Sequence, residues 1–440
     1  MKRIIFFVLF ISLTLEQAMI KKSQRSKHGE DCISDSACEE GFICKINRCY
    51  TKYESENLKS LGLLEKNLCS FKKKCPSNQK CFKHRCIDKD TPPEPRKNKT
   101  GNMENIHLLF TGGIFLNKKP YLSGFRPDNT INYDHLFSHL TNYIKSADLA
   151  IVPQESPFYI PEETKIKKDE KKTPKELGNA IAKAGFKVVL YASTQSYDLK
   201  EKGIRDTLNF WKTNYPDIHT LGITDDIEGE QKDYYIYTQD GIKIAIINYS
   251  GIVGNSIPSK NKFMVNIISQ KKLEETVKKL RPEVDCIIVC INWGEKYSLN
   301  PSKNQIIWAK LLAFYGVDII IGNHPVYYQP VSYVKAENGN KALVFFSLGV
   351  FIGHNTKRPQ ALGAMASIVI SKENGKTSIS SYNLIPTINH IPHEIDGNKY
   401  SVYKLTDYND QLGKSANKHF SMDKIIKGCE RRMGAFAHCG

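Results

Sequence analysis

The chain has 440 residues, and Lys plus Arg exceed Asp plus Glu by 63 to 46, for a net charge of +17. No run after the first 18 residues is long and apolar enough to span a bilayer. No basic–aromatic interleaving supports nucleic-acid binding, so the basic surface points to an anionic polysaccharide, another extracellular protein, or solubility alone.

The chain opens with Met1-Lys2-Arg3 and the apolar run Ile4–Leu15. This is the layout of a secretory signal peptide over residues 1–18, and it predicts a secreted, extracellular protein; an uncleaved anchor is the other reading. Eight of the twelve cysteines fall in two blocks, Cys32, Cys38, Cys44, Cys49 and Cys69, Cys75, Cys81, Cys86. Both read C-x5-C-x5-C-x4-C, an internal repeat. Each block is too short to bury a core of its own, so disulfides are expected to hold residues 30–50 and 68–88. Zinc is the rival reading, but paired C-x2-C ligands are missing. Four cysteines allow three pairings per block, and the spacing does not choose among them.

Residues 89–104 form a Pro- and Lys-rich linker, extended and solvated. It contains the sequon Asn98-Lys99-Thr100, a glycosylation site in an exposed setting. Asn248-Tyr249-Ser250 is a second sequon, but it follows an apolar strand.

From residue 105 to 395 strands and helices alternate. Strands are predicted over His107–Thr111, Ala147–Val152, Lys187–Tyr191, Ile242–Ile247, Cys286–Asn292, Val317–Ile321 and Leu343–Phe346. Helices are predicted over Tyr133–Ser146, from Thr173-Pro174 through Ala184 with Gly185 as the stop, over Ile204–Thr213, and over Gln305–Tyr315. This alternation predicts a layered α/β domain. Cys286 and Cys290 lie about 13 Å apart on one strand, beyond disulfide reach, and read as buried thiols. Residues 396–440 read as a basic C-terminal tail in which Cys429 and Cys439 either close a loop or stay unpaired.

The most informative stretch is GVDIIIGNHPVYYQP, Gly316–Pro330. A short apolar run bounded by Gly and Pro is a strand buried on both faces, and open α/β sheets place ligands at such carboxyl ends. Similar turns follow the other strands, at Gly112-Gly113, Gln154-Glu155, Ser193-Thr194-Gln195 through Asp198, Asn292-Trp293-Gly294 and Ser347–Phe351.

With ADLAIVPQESPF, NWGEKY and FSLGVF, these turns make the region from Ile106 to His390 resemble the CapA-type family. That is the capsule or poly-γ-glutamate synthesis domain with a calcineurin-like metallophosphatase fold. The resemblance implies a metal-dependent hydrolase, yet the matching positions depart from the family pattern. Gly-Asp has become Gly112-Gly113, and Asn-x-Glu has become Pro153-Gln154-Glu155. Asn-Asn-His-x-x-Asp has become Ser193-Thr194-Gln195 with Asp198 kept. His-Trp-Gly has become Asn292-Trp293-Gly294, His-Pro-His has become His324-Pro325-Val326, and Val350 replaces an Asn.

Gly and Val offer no ligand, and neutral Thr, Gln and Asn replace Asp or His poorly. Glu155, Asp198 and His324 remain as residual catalytic candidates, with His354 the nearby residue able to compensate. The expectation is a layered calcineurin-like α/β domain preceded by small disulfide-rich modules. It is read as a non-catalytic scaffold or binding protein with no cofactor. The alternative is a hydrolase with a rearranged site holding Mn, Fe or Zn.

Overall fold

The Cys-bearing segment and the α/β segment form separate units, Met1–Asn98 and Lys99–Gly440, in a computed structural model. It describes residues 104–161, 172–227, 233–353, 362–392, 400–433, 437 and 439, and in the first unit four short strands. Phe42–Lys45 pairs antiparallel with Arg48–Thr51, Cys44 standing opposite Cys49. Gln79–Phe82 pairs antiparallel with Arg85–Asp88, with Cys81 opposite Cys86 in the same register. Residues 1–18, the cysteine pairings of the two blocks, the linker sequon at Asn98, and His354 lie outside the described residues.

The second unit is built on two sheets. The first holds β1 (Glu104–Thr111), β2 (Leu149–Pro153), β3 (Val188–Leu190), β4 (His219–Leu221), and three later strands. Two helices make the crossovers that parallel pairing requires, α1 (Glu176–Ala184) before β3 and α2 (Lys200–Asn214) before β4. The second sheet holds β5 (Tyr234–Gln239), β6 (Ile242–Ser250), β7 (Cys286–Asn292), β8 (Ile319–Asn323), β9 (Tyr328–Lys335) and β10 (Lys341–Leu348). Its crossover helices are α3 (Gln270–Leu280) and α4 (Lys303–Tyr315). β11 (Leu362–Glu373), β12 (Lys376–His390) and β13 (Ser401–Lys404) return to the first sheet, giving the orders β4-β3-β2-β1-β11-β12-β13 and β5-β6-β7-β8-β10-β9.

In these two sheets, the two-residue hairpins place positive φ at each turn residue, Asp240 (49°) and Gly241 (69°), then Asn374 (51°) and Gly375 (74°). These are the Asp-Gly and Asn-Gly turns whose twist matches that of the strands.

Three apolar layers follow from the alternation along the strands. Ile244, Ile246, Cys286, Ile288, Cys290, Ile319 and Ile321 face Leu108, Phe110 and Ile151 between the sheets. Their neighbours Ala245, Ile247, Ile287, Val289 and Ile320 face the opposite way, onto α3 and α4. Leu109, Ala150, Val152 and Val189 likewise meet α1 and α2 outside the first sheet. Central strands buried on both faces explain the near-continuous apolar runs, each fully buried side chain contributing about 1.5–3 kcal/mol. Cys286 and Cys290 are buried free thiols in the inter-sheet layer.

Three sequence expectations need correction. Tyr133–Ser146 is not one helix: a 3-10 turn over Asp134–Leu136 and a helix over Thr141–Lys145 replace it. Ser138 Oγ donates to His135 O (3.0 Å), and Thr141 Oγ1 (3.0 Å) shares Phe137 O with Thr141 N (2.9 Å), local side-chain bonds of the kind that bend or interrupt a helix. Leu136, Leu140 and Ile144 are still buried together. Thr173-Pro174 does not open a helix but pairs with Phe158–Tyr159, and α1 starts at Glu176. Residue 395 is not an edge of the fold, because β13 completes the first sheet. Beyond it, α5 (Met422–Met433) sends Ile425, Cys429 and Met433 into the inter-sheet core, with Cys429 disulfide-bonded to Cys439.

Candidate functional site

The carboxyl ends of β1, β2 and β3 in one sheet and β7, β8 and β10 in the other meet at one place. Gly113 N donates to Gly349 O (3.2 Å), tying the turn after β1 to the turn after β10. A Cβ on Gly112 would lie 2.4 Å from Gly349 O, so backbone contact itself requires glycine there. At Gly113, where the resemblance would place an Asp, a Cβ would lie 3.0 Å from Glu155 Oε1. A side chain at 113 would therefore press on the Glu155 carboxyl, which would have to shift.

Glu155 is 1% exposed, and its Oε2 has no hydrogen-bond partner among the described residues. Burial raises its carboxyl to about 7, opposed by the positive charge of Lys296. The Ser193 hydroxyl donates to the Glu155 carbonyl and accepts from Gln195 N (3.0 Å), fixing the turn after β3 against the end of β2.

His324 follows β8 with φ 95°, and Val326 has φ 68°. Non-glycine residues in this region are strained by about 1–3 kcal/mol each and persist only where their surroundings hold them. Trp293 N donates to Asn323 O (3.1 Å) and Tyr297 N to Pro325 O (2.8 Å), bracing that turn. The His324 ring is 6% exposed, and its Nδ1 lies 2.8 Å from Thr194 Oγ1. Thr194 Oγ1 also lies 3.3 Å from Asn292 Oδ1. Burial lowers His324 to about 4, with the charge of Lys296 acting in the same direction, so the imidazole is neutral at neutral pH. Trp293 belongs to the core: its Nε1 donates to Phe346 O (2.9 Å) and its ring stacks on that of Phe346.

Of the three residual candidates, Asp198 is held by a different partner. Its Oδ1 accepts from Asn255 Nδ2 (2.6 Å), and desolvation raises its pKa. Lys296 and Asn255 are the site residues that the sequence did not single out. Lys296 lies within the NWGEKY stretch, whereas nothing in the sequence around Asn255 marks it. The sequon at Asn248 is not available in the folded chain. Its side chain is 3% exposed, its Oδ1 accepts from Ala192 N (2.7 Å), and its Nδ2 donates to Cys290 O (3.2 Å).

A divalent ion requires several convergent anionic or imidazole donors. Among the described residues no group of three or more His, Cys, Asp or Glu side chains is placed to hold one. Gly113, Thr194, Asn292, Val326 and Val350 supply no replacement, and His324 Nδ1 is engaged by a hydroxyl. The described residues do not fit a hydrolytic metal centre.

The profile of the family described as bacterial capsule synthesis protein PGA_cap matches residues 107–355. The capsule biosynthesis protein CapA of Bacillus anthracis is 25% identical over 233 residues, 51% of this chain and 55% of that protein. The PGA biosynthesis protein CapA of Bacillus subtilis (strain 168) is 22% identical over 271 residues, 59% of this chain and 66% of that protein. The chain thus spans 55% and 66% of the lengths of these curated relatives. Among solved structures, a 5'-nucleotidase precursor from Thermus thermophilus is similar with a TM-score of 0.40 and 12% identity, covering 64% of this chain and 54% of that one. The calcineurin-like phosphoesterase YfkN from Bacillus subtilis is similar with a TM-score of 0.36 and 11% identity, covering 72% and 96%.

Proposed function

The chain belongs to the bacterial capsule synthesis protein family PGA_cap, and from that premise we propose that its α/β domain is a non-catalytic binding or scaffolding unit. The observation that carries this reading is the closure of the strand-end site upon itself. The Glu155 carboxyl lies against Gly113, and Thr194 takes up the His324 imidazole. Hydroxyl and amide partners stand where the chemistry would need charged ligands.

The same proposal puts the protein outside the cytosol. The basic start, the apolar run Ile4–Leu15 and the repeated four-Cys spacing support that placement. The Cys modules act as disulfide-held binding or spacing units, and the partners are an anionic polysaccharide or another extracellular protein.

Hydrolysis of bis(p-nitrophenyl) phosphate by the purified full chain, with manganese added, tests this reading. The expected rate equals that of buffer. A rate above buffer that disappears in His324→Ala overturns the proposal. Retention on an anionic polysaccharide column should weaken steeply with salt.

A second reading, hydrolysis at a rearranged site, is favoured by one contact. A neutral imidazole within 2.8 Å of the Thr194 hydroxyl is an arrangement that activates nucleophiles. Activity that is independent of added metal and lost in Thr194→Ala would select it.

A further inference from the structure

A helix packed on the outer face of a sheet should be apolar toward the sheet and polar toward water. Helix α3 obeys: Leu273, Val277 and Leu280 are buried, and its remaining positions are mostly Lys and Glu. Helix α4 lies against the same face of the same sheet and does not obey. Its buried side carries Gln305, Ala309, Leu312 and Ala313. Its outward side carries Ile307, 61% exposed, and Phe314, 45% exposed. Of the seven exposed large hydrophobic side chains among the described residues, five lie between Tyr297 and Phe314. Such concentration in one segment separates this face from the single exposed apolar residues normal on any surface.

The charges on this face are equally specific. At helical spacing Lys303, Ile307, Lys310 and Phe314 fall along one outward stripe, with about 10 Å of rise from Ile307 to Phe314. Lys303 and Lys310 are exposed, and neither has an ion-pair partner among the described residues. The occupant must therefore accept apolar side chains and carry negative charge. Net charge opposes a second copy of the chain, since each copy carries +17. The stripe is also a ridge on a helix, shaped for a flat partner rather than for a peptide that would need a groove.

We propose that the outward face of α4 is a membrane-docking surface for anionic lipid. Ile307 and Phe314 enter the boundary between headgroups and acyl chains, and Lys303 and Lys310 meet lipid phosphates. The contact is peripheral: among the described residues no helix is long and apolar enough to cross a membrane. It is independent of the strand-end site and of the reading given to that site.

The test is sedimentation of the full chain with vesicles of phosphatidylcholine alone and of phosphatidylcholine mixed with phosphatidylserine. The chain should sediment with the mixed vesicles, less so as salt rises. The I307D/F314D variant should reduce partitioning by about tenfold or more, and K303E/K310E should remove the preference for phosphatidylserine. I307S/F314S repeats the first comparison with a milder change, should the charged pair unfold the chain. Unchanged partitioning in I307D/F314D, or no sedimentation with either vesicle, overturns the proposal. So does a self-associated chain that I307D/F314D converts to monomer without altering lipid binding, which would assign the face to a second copy.

Discussion

Thr194 Oγ1 and His324 Nδ1, 130 positions apart in sequence, lie 2.8 Å apart and join the turn after β3 in one sheet to the turn after β8 in the other. Removing the hydroxyl would leave a buried imidazole nitrogen unpaired. Thr194→Val should therefore destabilise the domain by about 1–3 kcal/mol, while Thr194→Ser keeps most of the stability. Urea denaturation of the three proteins measures the difference. Equal midpoints for Thr194→Val and the parent would show that the contact contributes nothing.

The Glu155 and His324 shifts make stability depend on pH in opposite senses. The Glu155 carboxyl is raised from 4.5 to about 7 by burial. Its contribution is intact below the unfolded value and is lost as pH rises through the folded one. His324 is lowered from 6.5 to about 4 by burial. Its contribution is intact above the unfolded value and falls as pH drops toward the folded one. At about pH 8 the ionised Glu155 carries its full penalty, about 3 kcal/mol. Glu155→Gln should thus be more stable than the parent at about pH 8, and the two should converge near pH 4.5. Because the His324 term runs the other way in both proteins, the difference between them isolates Glu155, and a difference that does not widen between those pH values contradicts the burial of the carboxyl.

Restoring the Asp that the family resemblance would place at position 113 should not restore a metal site. A Cβ at Gly113 lies 3.0 Å from Glu155 Oε1 and 3.1 Å from Phe115 Cε2, so Gly113→Asp crowds a buried carboxyl with a second one. Thermal unfolding should show a loss of about 2 kcal/mol or more. A variant as stable as the parent that binds manganese would mean that the site remains open.

The Cys429–Cys439 bond closes a sequence separation of 10 and anchors α5 in the inter-sheet core. Cys429→Ser should cost about 2–3 kcal/mol, read from urea denaturation. Cys286→Ser tests a different property, since that buried thiol has no disulfide to lose.

Much of this was legible before the structure because it is local. The apolar run Cys286–Asn292 is a strand at those same bounds, and Gly185 and Gly316 stop helices with φ 106° and 98°. The Asp240-Gly241 and Asn374-Gly375 turns carried a clear signal that strand spacing alone did not exploit. What could not be read is long-range. Nothing near Gly113 in sequence shows that Glu155 lies against it, and nothing near Asp198 points to Asn255. The apolar residues of helix α4 are not gathered on one face, so only its packing shows that Ile307 and Phe314 face outward while Leu312 faces in.

On the function proposed above, protein contacts close the strand-end site and it holds no metal. Metal analysis of the purified full chain, after incubation with manganese, iron and zinc and removal of the excess, tests it most directly. Metal far below one equivalent per chain is expected, with no difference between the parent and His324→Ala. One tightly held equivalent in the parent, absent from His324→Ala, would contradict it.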